Sequence, residues 1–268
     1  MSLEIGETSV TCEGIEVLVS SRPWNMEIDA FINAGLIDCD LPVLDVGGGG
    51  SSVTNRLLSQ GFDAYALDPL YTSREVALAV IGHSFLGIAM SAMSSGSEEE
   101  YNEQSASFDT FKKSMERKPD RYIGESILDT DLADDSFGTV LSSAMVETYL
   151  AKADTSVLEK ALRHMARITV PKGRLIMTTG IQYLPPEVLP QEEFDDLEAF
   201  FGRDGAIYVS QDTGVYRFDK YLDRLANQRS VLEVLINEGL LQPDRIIRHY
   251  YQPGDAHAST TSLILEVL

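Results

Sequence analysis

Four consecutive glycines follow one short apolar segment of the sequence, and an aspartate follows the next. Residues 43–46 (Val-Leu-Asp-Val) lead into Gly47–Gly50, and Asp68 comes 21 residues after Gly47. Glycines at the end of a strand let a ligand approach the backbone where a Cβ would collide. A carboxylate at this spacing suits two ribose hydroxyls of a nucleoside that lies over the glycines, because it accepts two charge-assisted hydrogen bonds at once. The spacing therefore predicts a nucleoside site.

The glycines complete neither of two phosphate-binding patterns. The dinucleotide pattern G-x-G-x-x-G puts Ser52 at its last position when counted from Gly47, and Val53 when counted from Gly48. The P-loop pattern needs a Gly-Lys-Ser/Thr sequence after the loop, and none follows. The loop therefore favours a nucleoside ligand without a pyrophosphate group.

Strands and helices alternate around these residues, which is typical of βαβ units in a doubly wound sheet. The last two predicted strands flank Pro253-Gly254-Asp255 and are close enough to form an antiparallel hairpin. A turn is predicted at 170–173, before the fifth strand. The predicted strands are 41–46, 64–67, 121–124, 139–142, 175–178, 246–251 and 262–267, and the helices around them include 24–34, 51–60, 98–118, 155–168 and 230–239.

The predicted organisation is one α/β domain with additions. Residues 1–40 form an N-terminal arm and helix, and residues 41–180 form the cofactor-binding core, with a helical insertion at about 83–119. Residues 181–229 are rich in aromatic and acidic residues and are interpreted as a cap over the substrate. Residues 230–268 add a helix and the hairpin that completes the core sheet.

In this order, the residues resemble the motifs of class I S-adenosylmethionine-dependent methyltransferases. The family's first motif is an acidic residue, an apolar residue and G-x-G-x-G, which here begins at Asp45 and has Ser51 in place of the third glycine. The Gly-Asp pair of the family corresponds to Gly124-Glu125, and its Ser-Phe-Asp sequence to Ser136-Phe137-Gly138. The loop before the fifth strand corresponds to 167–173. The resemblance covers about 41–179.

The resemblance implies a Rossmann-like, doubly wound α/β fold. Its sheet has seven mostly parallel strands, an antiparallel C-terminal hairpin and helical insertions. The implied cofactor is S-adenosyl-L-methionine, with S-adenosyl-L-homocysteine as product, bound across the carboxyl ends of the first three core strands. Gly47 and Gly49 would face the methionine part of this cofactor, Asp45 would lie near its amino group, and Asp68 would hold the ribose.

The resemblance also assigns residues after the third and fourth core strands. Glu125 would lie near the adenine edge together with the Ser126 backbone, although acidic residues after a strand are common without a ligand. Ser142 or Ser143, at the end of the fourth core strand, would lie beneath the sulfonium.

Catalytic residues are harder to identify, because direct displacement from a sulfonium depends mainly on alignment and desolvation. A general base is needed only for a hydroxyl or a protonated amine acceptor. His83 and Glu147 are the candidates at the border of a substrate pocket. No metal site is expected, because the histidines are unclustered and the cysteines isolated.

The composition of the chain limits the classes of partner that it is expected to bind. The chain has 42 acidic and 21 basic residues and a net charge of −21, which disfavours nucleic acid and anionic membranes. It shows neither an apolar segment long enough to cross a membrane nor a signal peptide, so cytoplasmic localisation is expected.

A small-molecule acceptor is expected. Aromatic residues such as Trp24, Tyr71 and Tyr149 suit an aromatic or apolar acceptor, although core packing explains these residues equally well.

Three alternatives remain open at this point. The chain can be a non-catalytic S-adenosylmethionine-binding protein or a methyltransferase that acts on a protein. An NAD(P)-dependent oxidoreductase is the rival by reaction class. Tyr216 and Lys220 have the Y-x-x-x-K spacing of short-chain reductases, but the glycine loop of those enzymes is missing, so this match is interpreted as chance.

Overall fold

The structure is a computed structural model, and it describes eleven parts of the chain. Side chains are described within most of these parts. The described residues are 3–5, 9–12, 15–20, 23–50, 52–78, 81–82, 98–143, 155–178, 182–184, 230–251 and 257–268.

The described strands belong to one sheet. Among the described residues, 74–78 and 81–82 are helical, and five longer α-helices accompany the sheet: α1 (Pro23–Asn33), α2 (Ser52–Ser59), α3 (Glu98–Arg117), α4 (Thr155–Ile168) and α5 (described over 230–237). The strands are β1 (Leu3–Ile5), β2 (Ser9–Cys12), β3 (Ile15–Ser20), β4 (Val43–Val46), β5 (Ala64–Leu67), β6 (Tyr122–Ile123), β7 (Phe137–Ser143), β8 (Thr169–Thr178), β9 (Gln182–Leu184), β10 (Leu241–Tyr251) and β11 (His257–Val267).

Seven of these strands form the sheet that the sequence predicts. Their order across the sheet is β6-β5-β4-β7-β8-β11-β10, in which the first five are mutually parallel. Strand β11 is antiparallel to both of its neighbours, β8 and β10. Numbered along the chain, the order is 3-2-1-4-5-7-6, whereas the dinucleotide-binding fold has 3-2-1-4-5-6. The predicted Rossmann-like fold with an antiparallel C-terminal hairpin is therefore confirmed.

Four further strands extend this sheet. Strand β3 pairs in parallel with β10 over residues 16–20 and 247–251, and β2 and β1 follow it in antiparallel order. Strand β9 pairs with the first part of β11, next to the end of β8. The predicted N-terminal arm therefore contributes strands to the β10 edge of the sheet.

Helices cover both faces of the sheet, as buried parallel strands require. Leu158, Leu162 and Met165 of α4 pack on one face, together with α5 and the inward side chains of β11. Ile28 and Phe31 of α1 pack with α2 on the other face. Beside them, α3 contributes Phe111 and Met115 to a third cluster, which lies over β5 and β6.

The predicted turn at 170–173 is wrong in one respect, because these residues lie within β8. The pairing of β7 with β8 shifts register here: Phe137 pairs with Thr169, but Thr139 pairs with Arg174. Lys172 has φ +67°, and a Cβ on Gly173 would lie 2.6 Å from Thr169 Cγ2. The Pro-Lys-Gly sequence therefore produces a bulge inside a strand, because the chain resumes the same ladder after it.

In the part of the chain that the structure describes, every helix is too short or too polar to cross a bilayer.

Candidate functional site

The residues that the sequence singles out lie at the carboxyl ends of adjacent strands. Strand β4 pairs in parallel with β5 on one side and with β7 on the other. The chain runs from β4 outward to β5 and β6, and then returns to β7, so the sheet changes direction between β4 and β7. Open α/β sheets bind ligands at such a switch point, outside the carboxyl ends of their strands.

The glycine loop begins at the end of β4 and turns back over β5. Gly47 and Gly49 have φ of +75° and +44°, a backbone region that residues with a Cβ rarely adopt. Gly47 N–H donates to Leu67 O at 2.8 Å, which fixes the loop to the end of β5. A Cβ on Gly48 would lie 2.9 Å from both Ala66 Cβ and the Tyr71 hydroxyl oxygen. The loop therefore needs glycine for its conformation and for its close approach to β5.

Asp68 joins the ends of β4 and β5. Its Oδ2 accepts the Gly49 N–H at 3.1 Å, and its Oδ1 accepts the Leu70 N–H at 2.9 Å. The second bond caps the 3₁₀ helix Pro69–Thr72, so Asp68 also has a structural role. A carboxylate can accept about four hydrogen bonds, so both oxygens retain acceptor capacity for ligand hydroxyls.

Asp45 lies beneath the loop and is 3% exposed. Thr54 Oγ1 of α2 donates to its Oδ2 at 3.1 Å. Burial raises the pKa of Asp45 to about 7, and the nearby Asp68 carboxylate also raises this pKa, while the Thr54 hydrogen bond opposes the rise. Asp45 therefore connects the end of β4 to α2 through Thr54, and its charge changes near neutral pH.

Tyr71 completes this edge of the site. Its hydroxyl donates to Gly49 O at 2.7 Å, and the residue is 7% exposed. Its ring packs against Phe111 and Tyr122, at centroid distances of 6.3 and 5.3 Å. For this aromatic residue the core-packing interpretation is therefore correct, and the hydroxyl has a specific partner in the glycine loop.

Glu125 follows β6, and its carboxylate is used inside its own loop. Its Oε2 accepts the Thr130 hydroxyl at 2.7 Å and the Asp131 N–H at 3.1 Å. The preceding Gly124 lies against the 3₁₀ helix, where a Cβ would come within 2.5 Å of Thr72 N. The loop at 124–131 is therefore folded by local bonds and docked next to the segment that Asp68 caps.

The two predicted serines differ in exposure. Ser126 is half-buried, and its Oγ accepts the Leu128 N–H at 3.2 Å. Ser142 is 1% exposed within β7, whereas Ser143, the last residue of this strand, is half-buried. Of the two candidates for the place beneath the sulfonium, Ser143 therefore has the more accessible side chain.

Predicted site residues outside the described parts are the catalytic candidates His83 and Glu147. The greater part of the predicted cap at 181–229 also lies outside them, apart from β9.

Two other polar features lie apart from this edge. Asp38, Cys39 and Asp40 bring three exposed ligand atoms within 4.8 Å of one another, but they precede β4 and so lie toward the amino ends of the strands. A surface groove of about 430 Å³ runs along α4, and its lining residues are Ser156, Glu159, Lys160, Arg163, His164 and Arg167. Neither feature includes a predicted site residue.

Sequence reasoning did not identify Thr54, and it left the role of Tyr71 open. A helix that follows a glycine loop packs one face on the strand it leaves, so a polar residue on that face is a candidate partner for a buried carboxylate. Thr54, nine residues after Asp45, is such a residue. The Tyr71 contact depends on how the 3₁₀ helix docks on the loop, for which the sequence carries no periodic pattern.

No family model matches the sequence, and no curated protein matches it. Among solved structures, the chain is similar to an S-adenosylmethionine-dependent methyltransferase from Methanosarcina mazei, at 14% identity over 88% of this chain and 97% of that one, with a TM-score of 0.47. A methyltransferase of the same kind from Aquifex aeolicus matches at 12% identity over 92% and 95% of the two chains, with a TM-score of 0.46.

A third similar structure is geranyl diphosphate C-methyltransferase from Streptomyces coelicolor, bound to Mg²⁺, geranyl diphosphate and S-adenosyl-L-homocysteine. The identity is 12% over 91% of this chain and 77% of that one, with a TM-score of 0.42.

Proposed function

We propose that this protein binds S-adenosyl-L-methionine and transfers its methyl group to a small-molecule acceptor. The observation that carries the proposal is the junction of the glycine loop and Asp68, joined by the Gly49 N–H to Oδ2 bond of 3.1 Å at the switch point of the sheet. This junction combines partly exposed glycine backbone with a carboxylate that suits a ribose diol.

The charges at this edge favour a cationic ligand. Asp68 lies beside the loop and Asp45 beneath it, so two carboxyl groups act on any ligand placed over the glycines. The Asp68 carboxylate, together with Asp45 in the fraction of molecules in which it is ionised, would attract an ammonium or a sulfonium placed there. This attraction supports S-adenosylmethionine as the ligand, and the incomplete glycine pattern disfavours a dinucleotide.

The residues present fit the cofactor. Gly47 and Gly49 leave space for its methionine part, and their positive φ values keep the loop turned toward β5. Asp45 would act on the amino group through the loop, since its side chain is buried. Asp68 would accept the ribose hydroxyls with the acceptor capacity that its two backbone bonds leave.

The adenine end would lie over the loop after β6. Glu125 holds this loop through Thr130 and Asp131, so we assign it the shaping of the adenine pocket together with the Ser126 backbone. Ser142 or Ser143 would lie below the reacting centre. When bound, S-adenosylmethionine supplies a methyl group on a positively charged sulfur, and this sulfur leaves as the neutral thioether of S-adenosylhomocysteine when a nucleophilic acceptor takes the methyl group.

Acceptor selection is assigned to residues outside this junction. The predicted cap at 181–229 and the insertion at 83–119 follow strands whose carboxyl ends form the site, so they would cover the acceptor. His83 and Glu147 remain the proposed groups for proton removal, if the acceptor is a hydroxyl or an amine.

Calorimetric titration of the purified protein tests the proposal. We expect saturable binding of S-adenosylmethionine and S-adenosylhomocysteine and no measurable binding of NAD, with thermal protection by the first two alone. Mass spectrometry of a denatured sample would identify any nucleoside that co-purifies. A folded protein that bound neither sulfur compound, or that bound NAD instead, would overturn the proposal.

A further inference from the structure

Both backbone polar groups of Gly49 are bound by one short segment of the chain. Its N–H donates to Asp68 Oδ2 at 3.1 Å, and its carbonyl oxygen accepts the Tyr71 hydroxyl at 2.7 Å. Asp68 also caps the 3₁₀ helix that carries Tyr71. The three residues therefore form a closed ring of contacts, in which the glycine loop and the ribose-binding carboxylate hold each other in place.

The orientation of the Gly49 carbonyl determines the direction of the next amide. All described peptide bonds are trans, so the Gly50 N–H points opposite to the Gly49 carbonyl with which it shares a peptide plane. Because the Tyr71 hydroxyl holds that carbonyl toward the protein interior, the Gly50 N–H points away from Tyr71. The hydroxyl thereby fixes the direction of this backbone donor.

The ring of Tyr71 packs among aromatic side chains, and this packing does not require its hydroxyl. The ring lies in a cluster with Phe108, Phe111 and Tyr122, where edge-on and tilted ring contacts fix its position. A phenylalanine would supply the same ring packing, so packing alone does not account for the hydroxyl. The polar atom at this position serves the Gly49 carbonyl.

We propose that Tyr71 is a positioning residue for the cofactor: its hydroxyl fixes the Gly49–Gly50 peptide, so that the loop and Asp68 present their hydrogen-bonding groups together. This inference rests on the proposed function, since it assigns Tyr71 a task in binding S-adenosylmethionine. It also couples the cofactor loop to α3, because Phe111 of that helix packs on the same ring.

Two hydroxyl deletions in the same aromatic cluster test the inference. Tyr71→Phe removes the donor to Gly49, whereas Tyr122→Phe removes a hydroxyl that donates to Asn55 Oδ1 at 3.1 Å and leaves the Gly49 contact unchanged. We expect Tyr71→Phe to raise the calorimetric Kd for S-adenosylmethionine by about five- to tenfold, the equivalent of one neutral hydrogen bond. Tyr122→Phe should change it by less than about twofold.

Hydrogen exchange of the loop, measured without ligand, provides a readout that general destabilisation does not reproduce. A peptide that contains residues 47–50 should exchange faster in Tyr71→Phe than in Tyr122→Phe when the two variants have matched unfolding midpoints. Equal exchange in both variants, or an unchanged Kd in Tyr71→Phe, would overturn the inference.

The wild-type titration separates this inference from the proposed function. Absence of S-adenosylmethionine binding in the wild-type protein would overturn the proposed function, and with it the cofactor role of Tyr71. Tight binding by the wild type with no weakening in Tyr71→Phe would overturn the role of Tyr71 alone.

Discussion

Two acidic residues follow neighbouring strands of the same sheet, and they are used in opposite ways. Asp68, after β5, bonds to the backbone of the loop that follows β4, 19 residues away. Glu125, after β6, bonds to Thr130 and Asp131, five and six residues away. The first carboxylate connects two strand ends, and the second folds a single loop. Of the two, we therefore expect Asp68 to contribute more to ligand binding.

The largest expected effect concerns Asp45, the second carboxyl of the glycine-loop region. Burial raises its pKa from 3.8 to about 7, so the folded chain binds this proton more tightly than the unfolded chain. Its stabilising contribution is present below about pH 3.8 and is lost as pH rises through 7, at up to roughly 1.4 kcal/mol per pH unit. Urea unfolding from pH 4 to 8 should show this slope in the wild type and a flatter curve in Asp45→Asn. Identical slopes would contradict the assignment.

The next effect concerns the docking of the Glu125 loop. A Cβ on Gly124 would lie 2.5 Å from Thr72 N and 2.6 Å from Thr72 Cα, and backbone atoms cannot rotate away. We expect Gly124→Ala to lower the free energy of unfolding by about 2–3 kcal/mol, as overpacking does, measured by urea denaturation.

Gly48→Ala is the matched substitution in the other region. Its Cβ would meet the Tyr71 hydroxyl oxygen and Ala66 Cβ at 2.9 Å, under the proposed cofactor. Its loss of S-adenosylmethionine affinity should exceed that of Gly124→Ala when both are measured below their unfolding transitions. A larger loss of affinity in Gly124→Ala than in Gly48→Ala would contradict the distinction between the two regions.

Neutralising Asp68 should weaken S-adenosylmethionine binding by about tenfold or more, which corresponds to roughly 1.4 kcal/mol or more. Asp68→Asn suits this test because asparagine also caps a helix, so the 3₁₀ helix remains capped. The control is Asp63→Asn at the opposite end of β5, where the side chain pairs with Arg121 at the surface. Calorimetry should show an unchanged Kd for the control, and a similar Kd for both variants would exclude the ribose role of Asp68.

The smallest effect is expected for Glu125→Gln. Because its described bonds lie within its own loop, this isosteric change should raise the Kd for S-adenosylmethionine by only about two- to threefold, less than one charged hydrogen bond. The same calorimetric titration measures it. A loss equal to that of Asp68→Asn would show that Glu125 contacts the ligand directly, and the contrast between the two acids would disappear.

Local patterns predicted the core of the fold well. The bounds of β5 and α4 are those expected from the sequence, because a short apolar strand and an amphipathic helix each carry a clear local pattern.

Local patterns predict a turn where β8 has a bulge, because Pro171 and Gly173 are typical of turns and also occur at bulges. Only the pairing with β7 on both sides of the bulge distinguishes the two, and that pairing is not a local property.

Chain spacing predicts which residues of the candidate site lie close together. The glycine loop and Asp68 lie together because parallel strands bring their carboxyl ends to one edge of the sheet. The bond from Thr54 to Asp45 and that from Tyr71 to Gly49 depend on how a helix and a 3₁₀ turn dock on that edge. Such contacts arise from tertiary packing, so residue type and spacing alone do not identify them.

The position of β11 has a consequence for the synthesis of the chain. This strand is made after β8 and β10, yet it lies between them. Its Leu263 and Leu265 fill the interior on one face of the sheet, and Ile264 fills the interior on the other. A nascent chain that lacks these residues leaves a gap between two strands and an open interior on both faces. We therefore expect the interior on the two faces to consolidate together, when β11 enters the gap between β8 and β10.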